Sequence, residues 1–78
     1  MSAEVVAALK AWRLTEARRR RVPAFRILSD RALTALAAAR PGNEAELLAV
    51  TGIGAAIARK YGKRILSLVK GTTPRRHR

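Results

Sequence analysis

The apolar residues of this chain recur with the period of an α-helix, and this pattern limits the folds available to it. Val5, Leu9 and Trp12 are spaced i, i+4 and i+7, which places them on one face of an amphipathic helix. No stretch alternates between apolar and polar residues for long enough to predict a strand. The sequence therefore predicts an all-α fold.

Proline, glycine and capping residues divide the chain into short helices. Pro23 is disfavoured inside a helix, Ser29 and Asn43 are good N-caps, and Glu46 three residues after Asn43 resembles a capping box. The predicted segments are a helix over 3–20, an apolar connector over 22–28 that folds back onto the core, a helix from 30 to 39, a short helix from 44 to about 50, and a last helix over 55–69. Gly62 within the last helix predicts close packing of another segment there. Four to five helices over residues 1–71 predict a compact orthogonal bundle, followed by a disordered basic tail over 72–78.

The charge balance limits the partners of the chain. Seventeen Lys and Arg residues face five Asp and Glu residues, for a formal net charge of +12 among 78 residues. A charge this high predicts a polyanionic partner such as nucleic acid. Arginine and alanine are also enriched by GC-rich coding, so part of the arginine excess has a compositional explanation.

The residues that support catalysis or metal binding are scarce. The chain has no cysteine, its one histidine is His77 in the tail, and Asp30 is its only aspartate. Neither a zinc site, nor a carboxylate cluster for metal ions, nor a phosphate-binding Gly-x-x-x-x-Gly-Lys loop is present. We therefore expect no cofactor, no metal and no enzymatic activity of this chain by itself. We also expect a cytoplasmic protein, because no apolar run approaches the roughly 20 residues that span a membrane.

The order of these features, from about Glu4 to Lys70, resembles that of the HRDC domain, named for helicases and ribonuclease D. The resemblance is carried by Leu9, Trp12-Arg13, Ala17, Val22-Pro23-Ala24-Phe25, Ser29-Asp30, Leu33, Arg40-Pro41, Gly52-Ile53-Gly54, Tyr61-Gly62 and Ile65-Leu66. No single element is specific, but the ordered series is.

The resemblance implies a bundle of four to five helices that serves as an accessory domain of RecQ-type helicases, some UvrD-type helicases and ribonuclease D. It implies weak binding of single-stranded or branched DNA, which tunes substrate choice in DNA repair and recombination. Some members make protein contacts, so the alternative is a regulatory module that docks on the helicase core or on another protein. We expect the C-terminal module of a bacterial RecQ-type helicase, monomeric as an isolated domain and associated with the nucleoid.

The first candidate site lies where the first helix ends and the next begins. Its cations are Arg18, Arg19, Arg20, Arg21, Arg26 and Arg31. In the family, the connector presents an aromatic residue that can contact a base, and Phe25 matches that position. An exposed Phe25 would stack on a base, and a buried one would be a plug under the loop.

The second candidate site lies on the last helix, and its cations are Arg59, Lys60, Lys63 and Arg64. They form i, i+4 pairs, which indicate either a DNA-binding face or an ordinary solvated one. Backbone amides after Gly52-Ile53-Gly54 would add an anion site, unless that turn is purely structural. The tail residues Arg75 to Arg78 would add nonspecific phosphate contacts or only solubility. Trp12 and Tyr61 are predicted to lie in the core.

Overall fold

Five α-helices make up the computed structural model, which describes residues 3–71. They are α1 (Ala3–Arg20), α2 (Ala24–Ile27), α3 (Asp30–Ala39), α4 (Glu44–Leu48) and α5 (Ala55–Gly71). No strand occurs between residues 3 and 71, so the prediction of an all-α bundle of four to five short helices is confirmed. The predicted tail, 72–78, lies outside the described residues.

The long helices α1 and α5 lie side by side. α1 packs against α2, α3 and α5, while α4 packs against α5. Val5 and Leu9 of α1 and Ile65 of α5 are fully buried, as their helical spacing predicts. Because burying such a side chain contributes roughly 1.5–3 kcal/mol, these apolar stripes fix the relative positions of the two helices.

An arginine in a left-handed backbone conformation ends α1. Arg21 has a φ of 59°. Its N–H donates to the Arg18 carbonyl at 3.2 Å, and the N–H of Val22 donates to the carbonyl of Ala17 at 3.0 Å. This is the hydrogen-bond pair of a Schellman motif, in which glycine is the usual residue. Arg40 also ends α3 in a left-handed conformation, with a φ of 47°, but its N–H donates to the Leu36 carbonyl at 2.9 Å, which is the single bond of an αL motif.

The connector between α1 and α3 differs from the prediction, because it contains the one-turn helix α2. Pro23 lies after the end of α1 and has an extended backbone, with φ −62° and ψ 150°, at the N-cap of α2. Its carbonyl nevertheless accepts the N–H of Arg26 at 2.9 Å, so a new turn begins directly after it. Ile27 and Leu28 are buried as predicted for an apolar connector, whereas Phe25 is 67% exposed.

Side-chain caps begin α3 and α4 at the predicted residues. The Ser29 hydroxyl accepts the N–H of Ala32 at 3.1 Å. The side-chain oxygen of Asn43 accepts the N–H of Glu46 at 2.9 Å. The Glu46 carboxylate accepts the N–H of Gly42 at 2.7 Å. The reciprocal bond of the capping box thus reaches one residue further back than the usual motif.

Two glycines allow helices and loops to approach closely. Gly52 has a φ of +89°, and a Cβ there would lie 2.8 Å from the Cβ of Ala32. Gly62 is buried, and a Cβ there would lie 3.3 Å from a methyl group of Leu47. The close packing predicted at Gly62 is therefore present. The turn around Gly52 and buried Ile53 packs against α3, which gives it a structural role.

Candidate nucleic-acid interface

Two aromatic rings join α1 and α5. Trp12 and Tyr61 were predicted to lie in the core, but they are only partly buried and pack against it; they meet edge to face with their ring centroids 5.2 Å apart and their planes at 76°. The Arg20 guanidinium carbon lies 5.5 Å from the Tyr61 ring centroid, and the Lys60 ammonium lies 6.0 Å from it. Each contact is a cation–π interaction between a charged side chain and the ring.

A groove of about 430 Å³ opens beside these rings. We call it the α1–α5 groove, and its lining residues are Trp12, Thr15, Glu16, Arg19, Arg20, Lys60, Tyr61 and Arg64. It unites two residues of the first predicted cation group with two of the second. The packing of α1 on α5 is what brings them together, since these residues are about 40 positions apart in the chain.

An acidic residue, Glu16, also lines this groove. Its side chain is only 10% exposed, and its carboxylate accepts hydrogen bonds from Arg19 at 2.8 Å and from Arg20 at 2.6 Å. The bonds from Arg20 and Arg19 lower the pKa of Glu16, and the bond to Glu16 raises the pKa of Arg20. Glu16 was not among the predicted site residues, although its i, i+3 and i, i+4 spacing to the two arginines signals such pairs on a helix.

The remaining cations of the first group lie elsewhere on the surface. Arg18 precedes Arg20 by two residues, about 200° around the helix, so it lies on the other side of α1 from the groove. Arg21, Arg26 and Arg31 are exposed around the end of α1, in α2 and at the start of α3. The structure therefore divides this group between the α1–α5 groove and the surface around α2.

The second predicted group is divided too. Arg59 and Lys63 line a smaller cavity of about 270 Å³, and Lys60 and the acidic residue Glu44 also line it. Lys63 also lines a groove of about 600 Å³ between the α3–α4 loop and the end of α5, and that groove contains Arg40 and Lys70. These last two cations were not among the predicted site residues.

Phe25 is the most exposed large apolar residue of the described chain, at 67%. Its place in α2 sets it between the cations Arg21 and Arg26, both of which are exposed. The interpretation of Phe25 as a buried plug is wrong, because Ile27 and Leu28 fill the space beneath the connector instead. An exposed aromatic ring beside arginines has the composition of a base-stacking site.

Arg13 has a structural role. Its guanidinium donates to the Leu28 carbonyl at 2.9 Å and to the Asp30 carboxylate at 2.8 Å. Its side chain is only 13% exposed. These bonds tie α1 to the beginning of α3 and thereby hold α2 and its aromatic residue against α1.

Residues 3–71 contain no cluster of three or more His, Cys, Asp or Glu side chains that could hold a metal ion. Within the same residues, no helix is both long and apolar enough to cross a membrane.

The fold and the sequence together identify the family of the protein. The family model of the HRDC domain matches residues 2–69, so the chain belongs to the HRDC family, and the predicted resemblance is confirmed. HRDC domains are accessory, non-catalytic domains of helicases and are associated with nucleic-acid binding.

The chain is similar to segments of bacterial helicases. It is 41% identical over 70 residues to the ATP-dependent DNA helicases UvrD2 of Mycobacterium tuberculosis and Mycobacterium bovis. That alignment covers 90% of this chain but only 10% of each relative. The structure is similar to the D. radiodurans RecQ HRDC domain 3, with a TM-score of 0.85 and 33% identity over 88% of this chain and 91% of the other.

Proposed function

We propose that this domain is the accessory nucleic-acid-binding domain of a bacterial DNA helicase of the RecQ or UvrD2 type. It binds single-stranded or branched DNA weakly and thereby tunes which structures the helicase acts on in DNA repair and recombination. Its place of action is then the bacterial nucleoid. The observation that supports this proposal best is the α1–α5 groove, where cations from two helices surround an aromatic pair.

This arrangement of cationic and aromatic side chains suits single-stranded DNA better than double-stranded DNA. Lys and Arg side chains supply affinity through phosphates, and exposed aromatic rings stack on unpaired bases. Arg19 and Arg20 lie in the last turn of α1, and Phe25 lies in α2, which packs directly against α1. Phosphates in the groove and a base on Phe25 would therefore belong to one strand that passes the end of α1.

The experiment is a titration of labelled single-stranded and branched DNA with the 78-residue chain at two salt concentrations. We expect micromolar or weaker affinity and a log–log salt slope of about 0.7 per phosphate contacted by a single strand, or about 3 for four contacts. An affinity that does not change with salt would contradict the proposal. Negligible binding would instead favour the alternative, a module that docks on the helicase core or another protein.

Two sets of variants locate the surface. Neutralising Arg18 to Arg21, or Lys60, Lys63 and Arg64, should weaken binding and reduce the salt slope. Lys10→Gln is the control for a single charge lost outside the groove, because Lys10 is exposed and lies about 200° around α1 from Trp12 of the groove. If neither set weakens binding by more per charge removed than Lys10→Gln does, the assignment of the surface is wrong.

A further inference from the structure

The α1–α5 groove contains an anion of its own among its cations. Four cationic side chains and one carboxylate line it, and the carboxylate of Glu16 is also the one buried acidic group among the described residues. A carboxylate at this place already accepts the hydrogen bonds that an incoming anion would require. Its effect on ligand binding is therefore as important as that of the arginines.

The two arginines keep unused donors on the solvent side. The side chains of Arg19 and Arg20 are 67% and 41% exposed, although both are paired with Glu16. Of the N–H groups of Arg20, only Nε–H donates to Glu16. A guanidinium has five N–H donors, so Arg20 retains groups that can reach a second oxyanion.

The chemistry of the groove favours a phosphate over a base. The Tyr61 ring has Arg20 and Lys60 over it and the Trp12 ring against its edge, so a base could stack there only by displacing one of them. A phosphate, in contrast, meets cations from both helices without disturbing the rings. This separates the groove from Phe25, whose exposed ring is available to a base.

We propose that the α1–α5 groove is a binding site for a backbone phosphate of nucleic acid and that the carboxylate of Glu16 competes with this phosphate for Arg19 and Arg20. The inference rests on the proposed function, because it assumes that the ligand is a DNA strand. Glu16 holds Arg19 and Arg20 at the groove, and an entering phosphate takes over part of their hydrogen bonding against the repulsion of the carboxylate. The carboxylate thus keeps the affinity of the domain low.

The test compares Glu16→Gln with the unchanged chain in a titration of a labelled single-stranded oligonucleotide at two salt concentrations. Glutamine keeps an oxygen that accepts from the arginines but removes the negative charge. With a phosphate about 5 Å from the carboxylate and an effective dielectric constant between about 40 and 80, the substitution should tighten binding roughly 4- to 17-fold. The gain should shrink at the higher salt concentration.

Glu4→Gln is the matched control, because it makes the same change in net charge. Glu4 lies 12 residues before Glu16 on α1, about 18 Å along the helix and beyond the Debye length of about 10 Å at 0.1 M salt. It should change the affinity less than twofold. If the unchanged chain binds DNA with the expected salt dependence but Glu16→Gln binds no tighter than Glu4→Gln, the competitor role is refuted while the proposed function stands. If neither the unchanged chain nor the variant binds DNA, both proposals fail.

A second measurement needs no substitution and so does not depend on the stability of a variant. NMR of the unchanged chain with the same oligonucleotide should shift the Nε–H resonance of Arg20 and the carboxylate carbon resonance of Glu16 together. Shifts confined to other parts of the chain would overturn the proposal, because Glu16 would then serve only to stabilise α1.

Discussion

The left-handed conformation of Arg21 predicts that replacing this residue with glycine will stabilise the domain and weaken its binding to DNA. A left-handed conformation costs a residue with a side chain about 1–2 kcal/mol. Glycine removes that strain but loses about 0.5–1 kcal/mol more backbone entropy on folding. With the φ of 59° at Arg21, the net gain for Arg21→Gly is about 0.5–1 kcal/mol. For a domain of this size that corresponds to a rise in Tm of about 3–6 °C.

Arg21→Ala separates the two effects, because alanine loses the charge but keeps the strain. Both variants should reduce the salt slope of DNA binding by about 0.7, the value for one phosphate on a single strand. Thermal unfolding followed by circular dichroism gives Tm, and the DNA titration at two salt concentrations gives the slope. A Tm of Arg21→Gly no higher than that of Arg21→Ala would refute the strain argument. An unchanged slope in both variants would remove Arg21 from the interface.

Three further substitutions test separate parts of the structure. Phe25→Ala should weaken single-stranded DNA binding by about 1–3 kcal/mol while Tm changes little, because the ring is 67% exposed; an equal loss for duplex DNA would contradict base stacking. Gly52→Ala should lower the free energy of unfolding by more than 1 kcal/mol in a urea titration, because its φ is +89° and the new methyl would meet Ala32; unchanged stability would contradict that contact. The unchanged chain should have a higher Tm than Glu16→Gln at pH 7. Because the pKa of Glu16 is lowered in the folded state, the higher Tm is present at pH values above the unfolded-state pKa of about 4.5 and is lost as the pH falls through the folded-state pKa. A difference in Tm that does not depend on pH would contradict the ion pairs.

Much of the fold could be predicted because local rules determine it. The side chains of Ser29 and Asn43 cap the helices that they were predicted to cap, and the apolar period identified Val5 and Leu9 as core residues. Gly62 signalled close packing because glycine is costly inside a helix without such a reason.

The connector could not be predicted in the same way. Pro23 signals the end of a helix but says nothing about the turn that follows it. Which apolar residues of that turn face the core depends on how it packs against α1. Ile27 and Leu28 are buried there and Phe25 is not.

The candidate site required tertiary structure. The sequence identified Arg19, Arg20, Lys60 and Arg64 as cations on two helices, but only the packing of α1 on α5 places them around one groove. Glu16 was not among the predicted site residues. Its helical spacing to the two arginines contained the missing information.

The most direct test of the account is to map the DNA-binding surface by amide NMR of the full chain with a short single-stranded oligonucleotide. If the proposed surface binds DNA, the largest chemical-shift changes fall on the α1–α5 groove, at Arg19, Arg20, Lys60 and Arg64, and around Phe25 in α2. The groove at Arg40 and Lys70 should change less, although it is also cationic. Changes centred on Arg40 and Lys70, or no changes at low salt, would contradict the account.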